Sequence, residues 1–260
     1  FFIKYEFWFF LLQQVHQQDI PLYSISARFV KGQTFFRSYG SLHRKMLTYF
    51  NHIFVQNESS QDLLNSIHIK NVSVSGDTRF DNVMDKASTV APIDQIKKFK
   101  GDNELLIIGS AWKEDLEVLK PFLNSLPDKL KVLIAPHDID ETNIKSIVKP
   151  LSLPYCLFSD KEICKKRIMI LDTIGHLFKA YQYANLAFIG GAFGDGLHNI
   201  LEATAFGTPV VFGNKGLDKF PESKALIHNK GGFSVSHPEA AYEILTRLYT
   251  DLAFRAQTKQ

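Results

Sequence analysis

The stretch Gly190-Gly191-Ala192-Phe193-Gly194-Asp195-Gly196-Leu197-His198-Asn199-Ile200-Leu201-Glu202 decides how this chain is read. An apolar run at 186–189 precedes it and reads as a buried strand. A helical pattern follows as far as Phe206 and stops at Gly207, and Thr208-Pro209 lead into a second apolar run at 210–212. The order strand, glycine loop, helix, strand is the unit of a parallel sheet. Glycines let a backbone approach a ligand closely, and the N–H groups at a helix start attract phosphate. A nucleotide, or a sugar attached to one, is the ligand this unit predicts.

Strands and helices alternate on both sides of it. Downstream, 222–228 and 238–250 read as helices. Upstream, strands are expected at 105–108, 131–135 and 168–171, with helices at 113–126, 142–148 and 177–183. Residues 82–103 are polar, carry several lysines and include Ala91-Pro92, so they are the best linker candidate. Before them come strands at 21–27, 52–56 and 72–75 and helices at 39–49 and 59–65, the latter capped by Ser59 or Ser60. Residues 1–5 read as a buried strand leading into a helix. A strand with no upstream partner suggests that a further segment precedes Phe1. Such alternation predicts an α/β fold with parallel sheets covered on both faces, in two Rossmann-like domains spanning 1–90 and 91–260, the first incomplete.

Composition narrows the class. The chain has 260 residues, 45% of them hydrophobic and 22% charged, as in an ordinary globular protein. A net charge of +3 without a basic block gives no indication of nucleic acid. Cys156 and Cys164 are too few for a disulfide framework, and reduced thiols are the simpler expectation. The aromatic start is interrupted by Lys4 and Glu6, and is too short to span a bilayer.

Ligands of open parallel sheets sit at the carboxyl ends of the strands. Four consecutive expected strand ends carry small or polar groups: Gly109-Ser110-Ala111-Trp112, Pro136-His137-Asp138, Asp172-Thr173-Ile174-Gly175, and the glycine loop. Each also has a plainer explanation. Asn199 and Glu202 have capping-box spacing. Asp172-Thr173 can be a strand-to-helix turn, and His137 a hydrogen-bonded loop histidine. Asp138 and Asp140 suggest a cation-binding pair, but no other ligand-rich cluster accompanies them, and a charged loop entering a helix explains them better. The loop is neither Gly-x-Gly-x-x-Gly nor Gly-Lys-Ser/Thr, which argues against dinucleotide and P-loop enzymes. A double glycine followed by His-Asn-x-x-Glu suits the nucleotide-sugar site of a two-domain (GT-B) glycosyltransferase. There a carboxylate one turn into the helix can accept from two ribose hydroxyls.

In these residues the chain resembles the 3-deoxy-D-manno-octulosonic acid (Kdo) transferases. The resemblance runs through Lys4-Tyr5-Glu6-Phe7-Trp8, Ser26-Ala27-Arg28-Phe29, Val55-Gln56, Gly76-Asp77-Thr78-Arg79-Phe80-Asp81, Gly109-Ser110, Ala135-Pro136-His137, Asp172-Thr173-Ile174-Gly175, Gly190-Gly191 and His198-Asn199-x-x-Glu202. The wording of the glycine loop is most similar to the Bacteroidetes-type, lipid A-specific branch. The resemblance implies a GT-B fold and inverting, metal-independent transfer of Kdo from CMP-Kdo to a lipid A precursor (lipid IVA), without a cofactor. The place implied is the cytoplasmic face of the inner membrane, reached through a segment upstream of Phe1. Residues 1–90 would be part of the acceptor domain and 91–260 the CMP-Kdo domain.

Site roles follow from the same resemblance. Gly190, Gly191 and Ala192 would approach the phosphate. His198 and Asn199 would begin a helix facing it, and Glu202 would hold the ribose. Ser110, Pro136, His137 and Gly175 would line the CMP site. Glu6, with Lys4 beside it, would stand on the acceptor side, where a carboxylate can orient or deprotonate a hydroxyl. Many members have Pro-Arg-His where this chain has Pro136-His137, so one arginine contact is missing. The family's general-base glutamate lies in an upstream Gly-Glu loop, so turnover by these 260 residues alone is not expected. Two alternatives are a sugar-nucleotide epimerase of similar fold and a non-catalytic nucleotide-binding module.

Overall fold

The computed structural model describes residues 1–149, 151–160, 164–194 and 196–258, and Asp195 of the glycine loop therefore lies outside the described residues. The chain divides into two compact units, Phe1–Asn82 and Val83–Gln260. Both are α/β with wholly parallel sheets, the Rossmann-like architecture that strand–helix alternation predicts.

The first unit holds four strands: β1 (Phe2–Ile3), β2 (Tyr23–Ala27), β3 (His52–Val55) and β4 (Val72–Val74). They lie side by side in chain order, each parallel to the next. Helices Phe9–Gln17, Ser41–Leu47 and Glu58–Ser66 connect them. The core is strongly aromatic: Phe7 meets Phe29, Phe35 and Phe50 with ring centroids 5.7, 5.2 and 6.0 Å away. Such edge and tilted packing uses the ring quadrupoles as well as buried area. Two expectations need correction. The first strand is two residues long and not buried, with Phe1 84% and Ile3 58% exposed, because it lies at the sheet edge against β2 only. The third helix is capped by Asn57, whose Oδ1 accepts from the Ser60 amide at 2.9 Å, rather than by either serine.

Among the described residues the second unit holds seven strands: β5 (Glu104–Ala111), β6 (Leu130–Pro136), β7 (Tyr155–Leu157), β8 (Ile168–Ile170), β9 (Leu186–Ile189), β10 (Val210–Gly213) and β11 (Gly232–Val235). Their order across the sheet is β11-β10-β9-β5-β6-β8-β7. Strand β5 shows why the pattern is apolar without alternation. Leu105 and Ile107 join the core on one face, Leu106 and Ile108 the core on the other, and all four are fully buried. A parallel sheet covered on both sides requires this. Strands β7 and β11 and a last helix, Leu252–Gln257, were not expected; β7 and β11 are the two edge strands of the sheet, only partly buried, and so lack the run of fully buried apolar residues that marks the central strands. The expected linker at 82–103 is largely helical, as Thr78–Ser88 and Asp94–Lys100, and Ile96 and Phe99 are fully buried. Its lysines occupy the outer face and disguise that apolar pair. Cys156 and Cys164 form a disulfide instead of remaining thiols, with Cα atoms 6.0 Å apart, a span such a bond accommodates.

The topology of this sheet has one decisive consequence. From β5 the chain moves through β6 toward one edge, and from β9 it moves through β10 toward the other. The two central neighbours β5 and β9 therefore form a switch point, where successive connections leave in opposite directions and a crevice opens at the strand ends.

Candidate functional site

Residues from three loops meet at that crevice. At the end of β5 the register with β6 shifts between Ile108 and Ala111, and Ser110 takes the left-handed backbone conformation with φ 51°. Gly109 must be glycine, because a Cβ there would lie 1.9 Å from the hydroxyl of Tyr181, a buried side chain under the sheet end. Trp112 then opens the helix Lys113–Asn124. Its backbone N–H donates to Asp115 Oδ2 at 2.9 Å, and the same oxygen accepts from the Gly191 N–H at 2.9 Å. One buried carboxylate thus fastens the β5 loop to the β9 loop. Asp115 is 1% exposed, its Oδ1 has no partner among the described residues, and burial raises its pKa to about 6.

This fastening also explains the double glycine. A Cβ on Gly190 would lie 2.4 Å from the Ser110 carbonyl oxygen and 2.5 Å from Asp115 Oδ2. Gly191, at φ 96°, would place one 2.2 Å from the Gly196 carbonyl oxygen. The close approach that glycine permits here is to the protein itself. The amides of Gly190 and Gly191 are already engaged, by Gly109 O and Asp115. Ala192 is buried, and its carbonyl accepts from the Lys215 amide while Lys215 Nζ donates to Phe193 O.

Three rings cluster on this base. The Trp112 indole Nε1–H donates to His198 Nε2 at 2.9 Å, with the two ring planes 11° apart, so the rings lie side by side. His137 stacks on both, with centroids 4.2 Å from Trp112 and 4.6 Å from His198. His137 is held by its own amide, which donates to Ala111 O at 2.9 Å, and Pro136 before it is paired with Ala111 in the sheet. Burial, and then the neighbouring His137, lower the His198 pKa.

The helical pattern after the loop is shorter than expected. Only Leu201–Thr204 is α-helix, continued to Gly207 by tight turns that end in its left-handed φ of 67°. Asn199 is the reason for the late start: its Oδ1 accepts from the Leu201 amide at 3.1 Å, two residues on, in place of a regular cap. Its Nδ2 donates to Glu202 Oε1 at 3.1 Å, so asparagine and glutamate form a pair rather than a capping box. A four-residue helix supplies little dipole, so the helix itself adds little attraction for an anion. Glu202 is half-buried, and burial raises its pKa against the opposing effects of Asn199 and Lys86.

The remaining predicted positions have other surroundings. Gly175 lies in the loop after β8 with φ 84° and open space at its Cβ position. Asp172 accepts from the Ser159 amide and hydroxyl. Asp140 caps the helix Glu141–Val148 by accepting from the Asn143 amide at 2.9 Å, and Asp138 accepts from the Asp140 amide, so this pair builds a helix start. In the first unit, Glu6 is exposed, and Lys4 adds to the field at Asp77. Burial pushes Asp77 up, but hydrogen bonds and the charge of Arg79 outweigh it and hold this carboxyl below its usual range. A cleft of about 470 Å³ opens between β11 and the helix Pro238–Thr250, lined by Phe233, Val235, Ile244 and Arg247, and contains no predicted site residue. Sequence reasoning named Trp112 without a role and missed Asp115. The available signal was the acidic residue three positions beyond Trp112 at a helix start.

Residues 1–82 match the family model of 3-deoxy-D-manno-octulosonic-acid transferase (kdotransferase). Over 116 residues, 43% of this chain and 27% of the relative, the chain is 37% identical to a 3-deoxy-D-manno-octulosonic acid transferase of Chlamydophila psittaci. The chain spans less than half the length of such curated relatives. Among solved structures it is similar to the C-terminal CMP-Kdo binding domain of WaaA from Acinetobacter baumannii: TM-score 0.56, 20% identity, 69% of this chain and 95% of that one. It is also similar to a putative UDP-N-acetylglucosamine 2-epimerase from Listeria monocytogenes: TM-score 0.69, 13% identity, 97% of this chain and 65% of that one. At these identities the two structures establish a shared fold.

Proposed function

We propose that this chain is part of a Kdo transferase of the Bacteroidetes-type branch, and that its second unit binds the donor CMP-Kdo. The observation that carries the reading is the meeting of Trp112, His137, His198 and the Gly190-Gly191 turn at the β5–β9 switch point, with Glu202 positioned by Asn199 just beyond. In this reading Gly190, Gly191 and Ala192 shape the phosphate side, and Glu202 accepts from the ribose hydroxyls. Ser110, Pro136, His137 and Gly175 line the space for CMP. Glu6, with Lys4, serves the acceptor, a lipid A precursor such as lipid IVA presented at the cytoplasmic face of the inner membrane.

The chemistry is an inverting displacement in which the acceptor hydroxyl gives its proton to a carboxylate base, its oxygen bonds to the Kdo anomeric carbon, and the bond from that carbon to the CMP phosphate oxygen breaks. CMP leaves with a single phosphate, so N–H donors in a confined site can stabilise it without a metal.

Isothermal titration calorimetry of the 260-residue chain with CMP and with UMP tests this, on wild type and on Glu202→Ala. Tighter binding of CMP, weakened about tenfold or more by the substitution, is expected. Equal affinity for both nucleotides, or no loss on substitution, overturns it. The likeness to a UDP-N-acetylglucosamine 2-epimerase fold motivates the second reading, an epimerase, which predicts preference for the uridine nucleotide.

A further inference from the structure

The indole–imidazole bond fixes more than a distance. An indole N–H can only donate, so His198 Nε2 must accept and carry no proton. A neutral imidazole holds its one proton on the other nitrogen, which makes His198 the Nδ1–H tautomer. A free imidazole side chain in water is a mixture of both tautomers with the Nε2–H form in excess, and it is partly charged near its ordinary pKa. Here burial, and then stacked His137, oppose a charge on His198, and Asp115 is tied to the same turn through the Gly191 amide. No side chain or backbone group among the described residues bonds to His198 Nδ1. Trp112 is itself held at three points: by its amide on Asp115, by its ring on His137, and by its indole nitrogen on His198.

We infer that Trp112 is a positioning residue of the nucleotide site, which holds His198 in the Nδ1–H tautomer so that Nδ1 is a neutral donor to an anionic oxygen of the ligand. This rests on the nucleotide reading for its ligand and on geometry alone for its tautomer. A neutral donor makes a single directed hydrogen bond to a phosphate or carboxylate oxygen, and does so across the pH range in which an ordinary histidine changes charge. The stack on His137 then has a purpose beyond packing, since it limits rotation of the ring that presents the donor.

The test is nitrogen-resolved NMR of the 260-residue chain with ¹⁵N-labelled histidine, in which the His198 signal is identified by its disappearance in His198→Gln. The expected result is an Nδ1–H pattern in wild type, replaced in Trp112→Phe by a mixture containing Nε2–H, with a folded far-UV spectrum in both. Calorimetry of the same proteins with CMP should show about a tenfold loss for Trp112→Phe, and Trp112→Gln, which restores an N–H donor without the indole, should recover part of the tautomer signature. An Nε2–H pattern in wild type, or an unchanged tautomer in Trp112→Phe, overturns the inference. So does an altered tautomer with unaltered CMP affinity, which would leave the nucleotide reading standing. The expected tautomer without any nucleotide binding by wild type would overturn the nucleotide reading and, with it, the ligand assigned to Nδ1.

Discussion

Ser26 and Ser110 occupy equivalent places in two different sheets. Each sits at the carboxyl end of a parallel strand, at a break in register with the next strand, in left-handed backbone with φ 56° and 51°. Their surroundings differ. Ser26 is fully buried; its hydroxyl and carbonyl accept from Gln56 Nε2, at 3.2 and 3.1 Å, and its hydroxyl also accepts from the Thr78 amide at 3.4 Å. Ser110 is partly exposed, and the groups packed against its loop are a buried carboxylate and three rings. The sheets explain the contrast. In the first unit the strands run in chain order, and the Ser26 hydroxyl is covered by Gln56 and by the Thr78 amide. The second reverses between β5 and β9, which leaves a crevice at the reversal. An unusual backbone conformation is therefore not in itself a mark of a ligand site; the topology around it is.

The largest expected effect breaks the second region alone. Gly191→Val combines an unfavourable φ with a 2.2 Å overlap. It should cost about 3 kcal/mol or more, roughly a 10 °C fall in the second unit's melting temperature, and abolish CMP binding. Gly32→Ala in the first unit, with nothing within 4 Å of its Cβ position, is the control and should melt within about 1 °C of wild type in calorimetric scans.

Asp115 comes next. Its pKa of about 6 lies above the unfolded value of 3.8, so the folded state binds more protons between the two. Stability should therefore fall as pH rises from about 4 to 6, by on the order of 2 kcal/mol, and level off above. Urea titrations of Asp115→Asn across that range should show a flattened slope, since an amide oxygen can still accept from Trp112 and Gly191. An unchanged slope would mean that Asp115 does not titrate there.

Glu202→Ala sharpens the comparison by separating binding from folding. It should lose about tenfold in CMP affinity while its melting temperature moves by less than about 2 °C. The smallest effect concerns the serines themselves. Ser26→Ala leaves the Thr78 amide without this acceptor and Gln56 with the Ser26 carbonyl alone, and should cost about 1 kcal/mol. Ser110→Ala should change stability by less than about 0.5 kcal/mol by chemical denaturation, because no side-chain bond of Ser110 is lost among the described residues.

Much of this was legible in the residues. Uninterrupted apolar runs such as 105–108 and 186–189 announced strands buried on both faces, and their alternation with helices announced parallel sheets. Residues at the ends of β5, β6 and β9 do meet. The rest was hidden for physical reasons. Ile96 and Phe99 were masked by lysines on the same short helix. Asn199 and Glu202 have the spacing of a cap, and only the two directions of the Asn199 amide reveal a pair. Asp115 reads as one more acid on a charged helix start, because burial is a property of what packs over a residue.

The sequence by itself determined the architecture and the neighbourhood of the site, since hydrophobic periodicity and glycine placement act locally and are written residue by residue. The tertiary structure decided what the double glycine is for and which side chains work together. Gly191, Asp115, Trp112 and His198 span 87 positions of the chain, and only the reversal of strand order between β5 and β9 brings their atoms within hydrogen-bond range.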